Sequence, residues 1–157
     1  MRKEELIDHH DYFISWLNEL RDLEEDKWYS PMEEGKWSIG ANVSHITKWD
    51  QYSVEHILLT DLQDGAVLPP FPEFEEFNRK AAAYALSAVT QEQLLAEGIE
   101  ARKSIRAYIE ALTEERLDLS FEVGDHLYTL REFFEDFMGH DKHHQNQIEE
   151  ALHKENA

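Results

Sequence analysis

His140 and His144 stand four positions apart in the run Phe133-Phe134-Glu135-Asp136-Phe137-Met138-Gly139-His140-Asp141-Lys142-His143-His144-Gln145-Asn146-Gln147-Ile148. Residues at that spacing on an α-helix lie about 40° apart around the axis and about 6 Å apart along it, so both imidazoles point the same way, as in a two-histidine metal clamp. The same face reads Leu130, Phe133, Phe137, His140, His144, Ile148 and Ala151, the three- and four-residue steps of a buried seam. The pair therefore takes the place of core residues. His143 lies about 100° from His144, off the seam, and reads as a surface or supporting residue. A bare His-x-x-x-His carries little weight by itself. Its place on the seam strengthens it, as does His45, an imidazole near the start of another helix that can reach the same end of a bundle. Asp141, not glutamate, follows His140, which argues against a metalloprotease.

The composition narrows what such a site can do. The 157 residues fit one domain, 1–157, with a core that needs no staples. With no cysteine, the chain has no disulfide, no thiolate ligand and no cysteine nucleophile, so any thiol chemistry must use an external thiol. A formal charge of -19, from 34 acidic and 15 basic residues, repels phosphate backbones and argues against nucleic acid as a partner. The start of the chain lacks the apolar stretch of a signal peptide, and no run approaches the ~18 apolar residues of a membrane span. The expectation is a soluble cytoplasmic protein without a membrane partner.

Four long helices must position the histidines. The first runs from Lys3 to about Asp26 on Leu6, Phe13, Leu17 and Leu20, with His10 on its stripe, read as a hydrogen-bonded core residue in preference to a ligand. Trp28 to Trp37, with Pro31 and Gly35, reads as a loop. Ser38 caps a second helix to about Leu59 that carries His45, Trp49 and His56, the last about 16 Å along the axis from His45 and too far from it to share a metal. Asp61 to Thr90 breaks into Asp-Gly and Pro-rich turns and a short alanine-rich piece, about Phe74 to Leu86, with helical potential. That length exceeds a helix hairpin's needs and suits a crossover between helices 2 and 3. Thr90 and Thr129 have capping-box spacing to Gln93 and Glu132 and open the third and fourth helices, to about Glu115 and His153. No strand-like alternation competes, and Trp16, Trp37 and Trp49 are expected in the core. Arg102 sits among the apolar positions of helix 3, either snorkelling outward or reaching in as a cofactor-binding clamp for an anionic ligand.

The segment Gly35-Lys36-Trp37-Ser38-Ile39-Gly40-Ala41-Asn42-Val43-Ser44-His45, together with Thr129-Leu130-Arg131-Glu132-Phe133-Phe134 and His140-Asp141-Lys142-His143-His144-Gln145-Asn146-Gln147-Ile148, resembles the DinB family over essentially the whole chain. The resemblance implies an all-α four-helix bundle with up-down-down-up connections and a divalent metal on His45, His140 and His144. Asn146 stands where many members have glycine. Related members include thiol-dependent transferases and isomerases. Three neutral imidazoles with an open position suit Zn²⁺ or Ni²⁺, and the open position can hold water or a low-molecular-weight thiol. The leading expectation is a metal-dependent enzyme joining such a thiol to a small-molecule substrate. Its alternatives are a metal- or small-ligand-binding bundle without turnover, and buried structural histidines in a homodimer.

Overall fold

The computed structural model describes residues 1–155. Residues 156 and 157 of the single domain expected over 1–157 lie outside the described residues.

From residue 39 onward the α-helices open where the sequence offers capping groups. Helix α1 (Lys3–Glu19) tightens into a 3-10 turn at Leu20–Asp22 and ends, short of the expected Asp26, as Leu23 turns extended. A short helix α2 (Glu25–Tyr29) follows, within which Trp28 lies only 1 % exposed. The loop expected from Trp28 thus begins later, because the indole is buried against Gly40 on α3 (Ile39–His56). A Cβ at Gly40 would stand 2.6 Å from Trp28 Nε1, so only glycine admits this approach. Ser38 Oγ accepts from the Ala41 N–H at 3.0 Å at the start of α3. The alanine-rich piece forms α4 (Phe74–Ala85). Thr90 and Gln93 exchange the two hydrogen bonds of a capping box, each 3.0 Å, at the head of α5 (Gln91–Ala111). Thr129 Oγ1 accepts from the Glu132 N–H at 3.1 Å as α6 (Leu130–Glu155) begins.

The fold adds a small sheet that the sequence reading did not anticipate. Strands β1 (Ala66–Leu68), β2 (Ser120–Val123) and β3 (His126–Thr129) stand in that order. β1 runs parallel to β2 with Ala66 opposite Phe121, and β2 and β3 form an antiparallel hairpin with Phe121 opposite Tyr128. Gly124 supplies the positive φ of 57° that the hairpin turn requires. Strands this short carry too few residues for alternation to register. Their effect is to tie the α3–α4 connection to the α5–α6 connection.

Helix α5 packs on α1 and α3, α6 also touches both, and α4 lies on α3. Two apolar clusters fill the interior. One gathers Leu6, Ile57, Ile105, Phe121, Phe134 and Met138, the other Phe13, Leu17, Trp28, Val43, Ile46, Ile99 and Ile148. On each long helix a buried polar residue falls in sequence between members of the two clusters: His9 and His10 on α1, Asp50 on α3, Arg102 on α5, Asp141 on α6. A polar layer thus crosses the molecule beside His140. Of the tryptophans expected in the core, Trp16 is buried, whereas Trp37 and Trp49 are half-buried and lie near the histidines.

Candidate metal centre

His45 on α3 and His140 and His144 on α6 converge, with one ring nitrogen of each within 4.8 Å of the others. His140 Nε2 lies 3.2 Å from His45 Nε2 and 3.1 Å from His144 Nε2. A tetrahedral ion with metal–nitrogen bonds of about 2.0–2.1 Å separates its ligand nitrogens by about 3.3 Å, close to both spacings.

Hydrogen bonds on the far side of two rings fix which nitrogens are free. His45 Nδ1 contacts Asn78 Oδ1 at 3.0 Å, and the same oxygen accepts from Trp49 Nε1 at 2.8 Å. An indole N–H can only donate, so Asn78 presents its oxygen there and His45 carries its proton on Nδ1. Asn42 Nδ2 donates to the Ser38 carbonyl at 3.0 Å, which turns Asn42 Oδ1 toward His144 Nδ1 at 3.1 Å. His45 and His144 therefore both aim an Nε2 lone pair inward, and His140 Nε2 has at most one proton to share between them. A cation resolves that crowding of lone pairs, and the donor set fits a divalent metal. Burial, with His140 close by, pushes His45 down to about 4. Burial and the neighbouring imidazoles push His144 to about 3, and burial also lowers His140. All three are neutral near pH 7, the form a metal needs. His143 and His56 are exposed and outside the cluster.

The seam expected through His140 is only partly buried, since His140 itself is exposed and Phe137 half-buried. Cavities flank the imidazoles on both sides. One of about 420 Å³ is lined by Trp37, Asn42 and His144 together with Lys36, Glu150 and Lys154. The other, about 360 Å³, is lined by His45 and His140 and by aromatic rings including Trp49 and Phe137.

Residues 5–148 match the DinB superfamily. The chain belongs to the DinB superfamily. A solved structure, YfiT from Bacillus subtilis, described as a probable metal-dependent hydrolase with an unusual four-helix bundle topology, superposes with a TM-score of 0.76 at 18% identity, covering 98% of this chain and 87% of that one. At that identity the likeness establishes a shared four-helix bundle fold. No curated protein matches the chain. No helix among the described residues is long and apolar enough to cross a membrane.

In this DinB chain Arg102 neither snorkels nor faces a cavity: it is fully buried, and its N–H groups meet protein partners. Nε and one terminal nitrogen donate to Asp50 Oδ2 at 3.1 and 2.8 Å, and the two terminal nitrogens donate to Asp141 at 3.0 and 2.5 Å. The remaining donor reaches His10 Nδ1 at 3.3 Å. In place of the anionic ligand that the inward reading of Arg102 expects, the DinB chain supplies two carboxylates of its own. His9 Nε2 donates to Asp141 Oδ2 at 2.7 Å. Burial raises Asp50 well above the usual carboxylate range despite Arg102. At Asp141 burial acts in the same direction, but the Arg102 charge and the His9 hydrogen bond outweigh it and hold this carboxyl low.

His10 accepts from Arg102 through Nδ1, so it is neutral, and burial pushes it down to about 3, with Arg102 and His9 adding to the effect. An unfolded histidine titrates near ~6.5, so as pH falls the unfolded chain takes up this proton first. The contribution to stability is full above about 6.5 and is lost as pH falls toward 3, at up to ~1.4 kcal/mol per pH unit. Urea unfolding from pH 7 to 4 should therefore show a shallower decline in His10→Gln than in the parent chain. Identical slopes would contradict this assignment.

Proposed function

We propose that this protein is a divalent-metal-dependent enzyme in which His45, His140 and His144 hold the metal and a low-molecular-weight thiol is the nucleophile for a small-molecule electrophile. The observation that carries the reading is the pair of Nε2 lone pairs on His45 and His144, locked inward by Asn78 and Asn42 and facing His140. A bound metal would supply Lewis acidity, lowering the pKa of a thiol or water at its open position toward neutrality. Zn²⁺ or Ni²⁺ suits an all-imidazole set, and the absence of cysteine leaves the thiol to come from outside.

The chain's own residues do the positioning. Asn78 and Asn42 keep two imidazoles in the ligating tautomer. The carboxylates gripped by Arg102 stand five residues after His45 and directly after His140, so the cofactor-binding role expected of Arg102 becomes a positioning one, holding α3 against α6. The proposed architecture is the up-down-down-up bundle of the family, in a cytoplasmic protein able to pair as a homodimer.

The description of YfiT favours a second reading, in which water replaces the thiol and the reaction is a hydrolysis. A binding bundle without turnover is the alternative to both. Cobalt-substituted protein separates the thiol reading from the water reading. A sulfur-to-metal charge-transfer band on adding low-molecular-weight thiols, with proton release, is the expected result. Unchanged spectra across several thiols would remove the transferase reading.

A further inference from the structure

The cavity on the His45 and His140 side is walled by aromatic rings drawn from separate parts of the chain: Trp49 from α3, Phe71 from the connection, Phe74 from α4, Tyr128 from β3, Phe133 and Phe137 from α6. The rings brace one another, with centroids 5.5 Å apart for Trp49 and Phe74, 5.6 Å for Tyr128 and Phe133, and 5.0 Å for Phe133 and Phe137. Trp49 is further fixed by its bond to Asn78, the residue that orients His45. Phe74 is 55 % exposed at the rim, an unusual place for a large apolar ring in so acidic a chain unless it has something to cover. Among the described residues no lysine or arginine lines this cavity, its two histidines are neutral, and its one charged group is Asp136, which is exposed. The cavity on the opposite side has the contrary chemistry, with Lys36, Lys154, Glu33 and Glu150 in its wall.

We propose that the aromatic cavity is the recognition site for the substrate, and that it takes a small molecule bearing an aromatic group and no negative charge, seated with its reacting end at His45 and His140. The inference rests on the reading of the histidines as the reacting centre. About 360 Å³ falls in the range of small-molecule sites and holds a one- or two-ring group. The faces of tryptophan, tyrosine and phenylalanine attract flat apolar groups and organic cations alike, and the Asp136 carboxylate reinforces a cation while repelling an anion. Carboxylated or phosphorylated aromatics are selected against by the same wall.

The test uses three two-ring probes of nearly equal size, 1-naphthylmethylamine, 1-naphthalenemethanol and 1-naphthoate, titrated by NMR into the full chain as purified and again after chelation. In the chelated protein, where no metal can capture the carboxylate, the amine is expected to bind tightest and the carboxylate at least ~10-fold more weakly. Phe74→Ala, at an exposed rim position, should weaken the amine about 5-fold, the worth of one aromatic contact, with folding checked by an unchanged urea midpoint. Asp136→Lys, also exposed, should reverse the order of amine and carboxylate. Equal binding of all three probes, or binding indifferent to both substitutions, would overturn the assignment. Metal content measured on the same samples keeps the two readings apart. Loss of probe selectivity in a protein that carries divalent metal as purified removes the recognition site alone, whereas probe selectivity in a protein that carries no divalent metal as purified removes the reacting centre on which the substrate role rests.

Discussion

Replacing Arg102 with methionine should destabilise the protein by about 3–5 kcal/mol, the usual cost of removing one partner from a buried ionic group. The change strands two carboxylates, Asp50 and Asp141, that are each within 2 % of complete burial: Asp50 loses both of its bonds from the guanidinium, and Asp141 loses two and keeps the one from His9. Against a total stability of about 5–15 kcal/mol, that is a large share. Arg102→Lys should recover little. Its ammonium is a point charge with three donors and cannot reproduce a planar fork that engages two carboxylates and an imidazole together. The triple variant Arg102→Met, Asp50→Asn, Asp141→Asn removes the stranded charges and should regain much of the loss. Because Asp141 directly follows His140 and Asp50 lies five residues after His45, that refolded variant should still bind metal more weakly than the parent. Urea midpoints followed by tryptophan fluorescence read the first effect. A loss under ~1 kcal/mol for Arg102→Met would contradict the role given to the network.

What the sequence made legible follows from how far each signal reaches. The spacing of His140 and His144 is local, and the helix geometry that gives it meaning is local too. The caps at Ser38, Thr90 and Thr129 lie within three residues of the groups they satisfy, and the structure places those helices accordingly. The Arg102 partners lie 52 and 39 positions away, and the Asn78 contact to His45 spans 33. No periodicity announces such pairs. An amide that sets a histidine tautomer has no motif, so the roles of Asn42 and Asn78 are visible only in the structure. Arg102 stands out in the sequence as an intruder on an apolar face, but its partners are fixed only in three dimensions. The helical turn at Trp28 was hidden for a related reason, since its cause is the bare backbone of Gly40 on another helix. Trp49 reads as core by its spacing, yet it lines the open side of the histidine cluster, because α4 covers α3 there while the facing stretch of α6 stays exposed at His140.

Loss of the metal is the largest effect expected from small substitutions. His140 Nε2 stands between the other two rings, within 3.2 Å of each, so removing it leaves two nitrogens and an incomplete site. Changes in groups that merely support a ligand cost ~10–100-fold in affinity, and loss of a ligand itself should exceed that. His140→Ala and His144→Ala should each lower divalent metal affinity by well over ~10-fold, whereas exposed His143→Ala should not change it. Asn78→Ala should fall between, because His45 then loses the group that holds its proton on Nδ1. Binding should also weaken as pH falls through the imidazole range, where protons compete for the same lone pairs. The most direct measurement is the metal content, by inductively coupled plasma mass spectrometry, of untagged protein and of the His140→Ala, His144→Ala double variant purified in parallel. One divalent ion per parent chain and none in the variant is the predicted result; equal content in the two would contradict the metal centre.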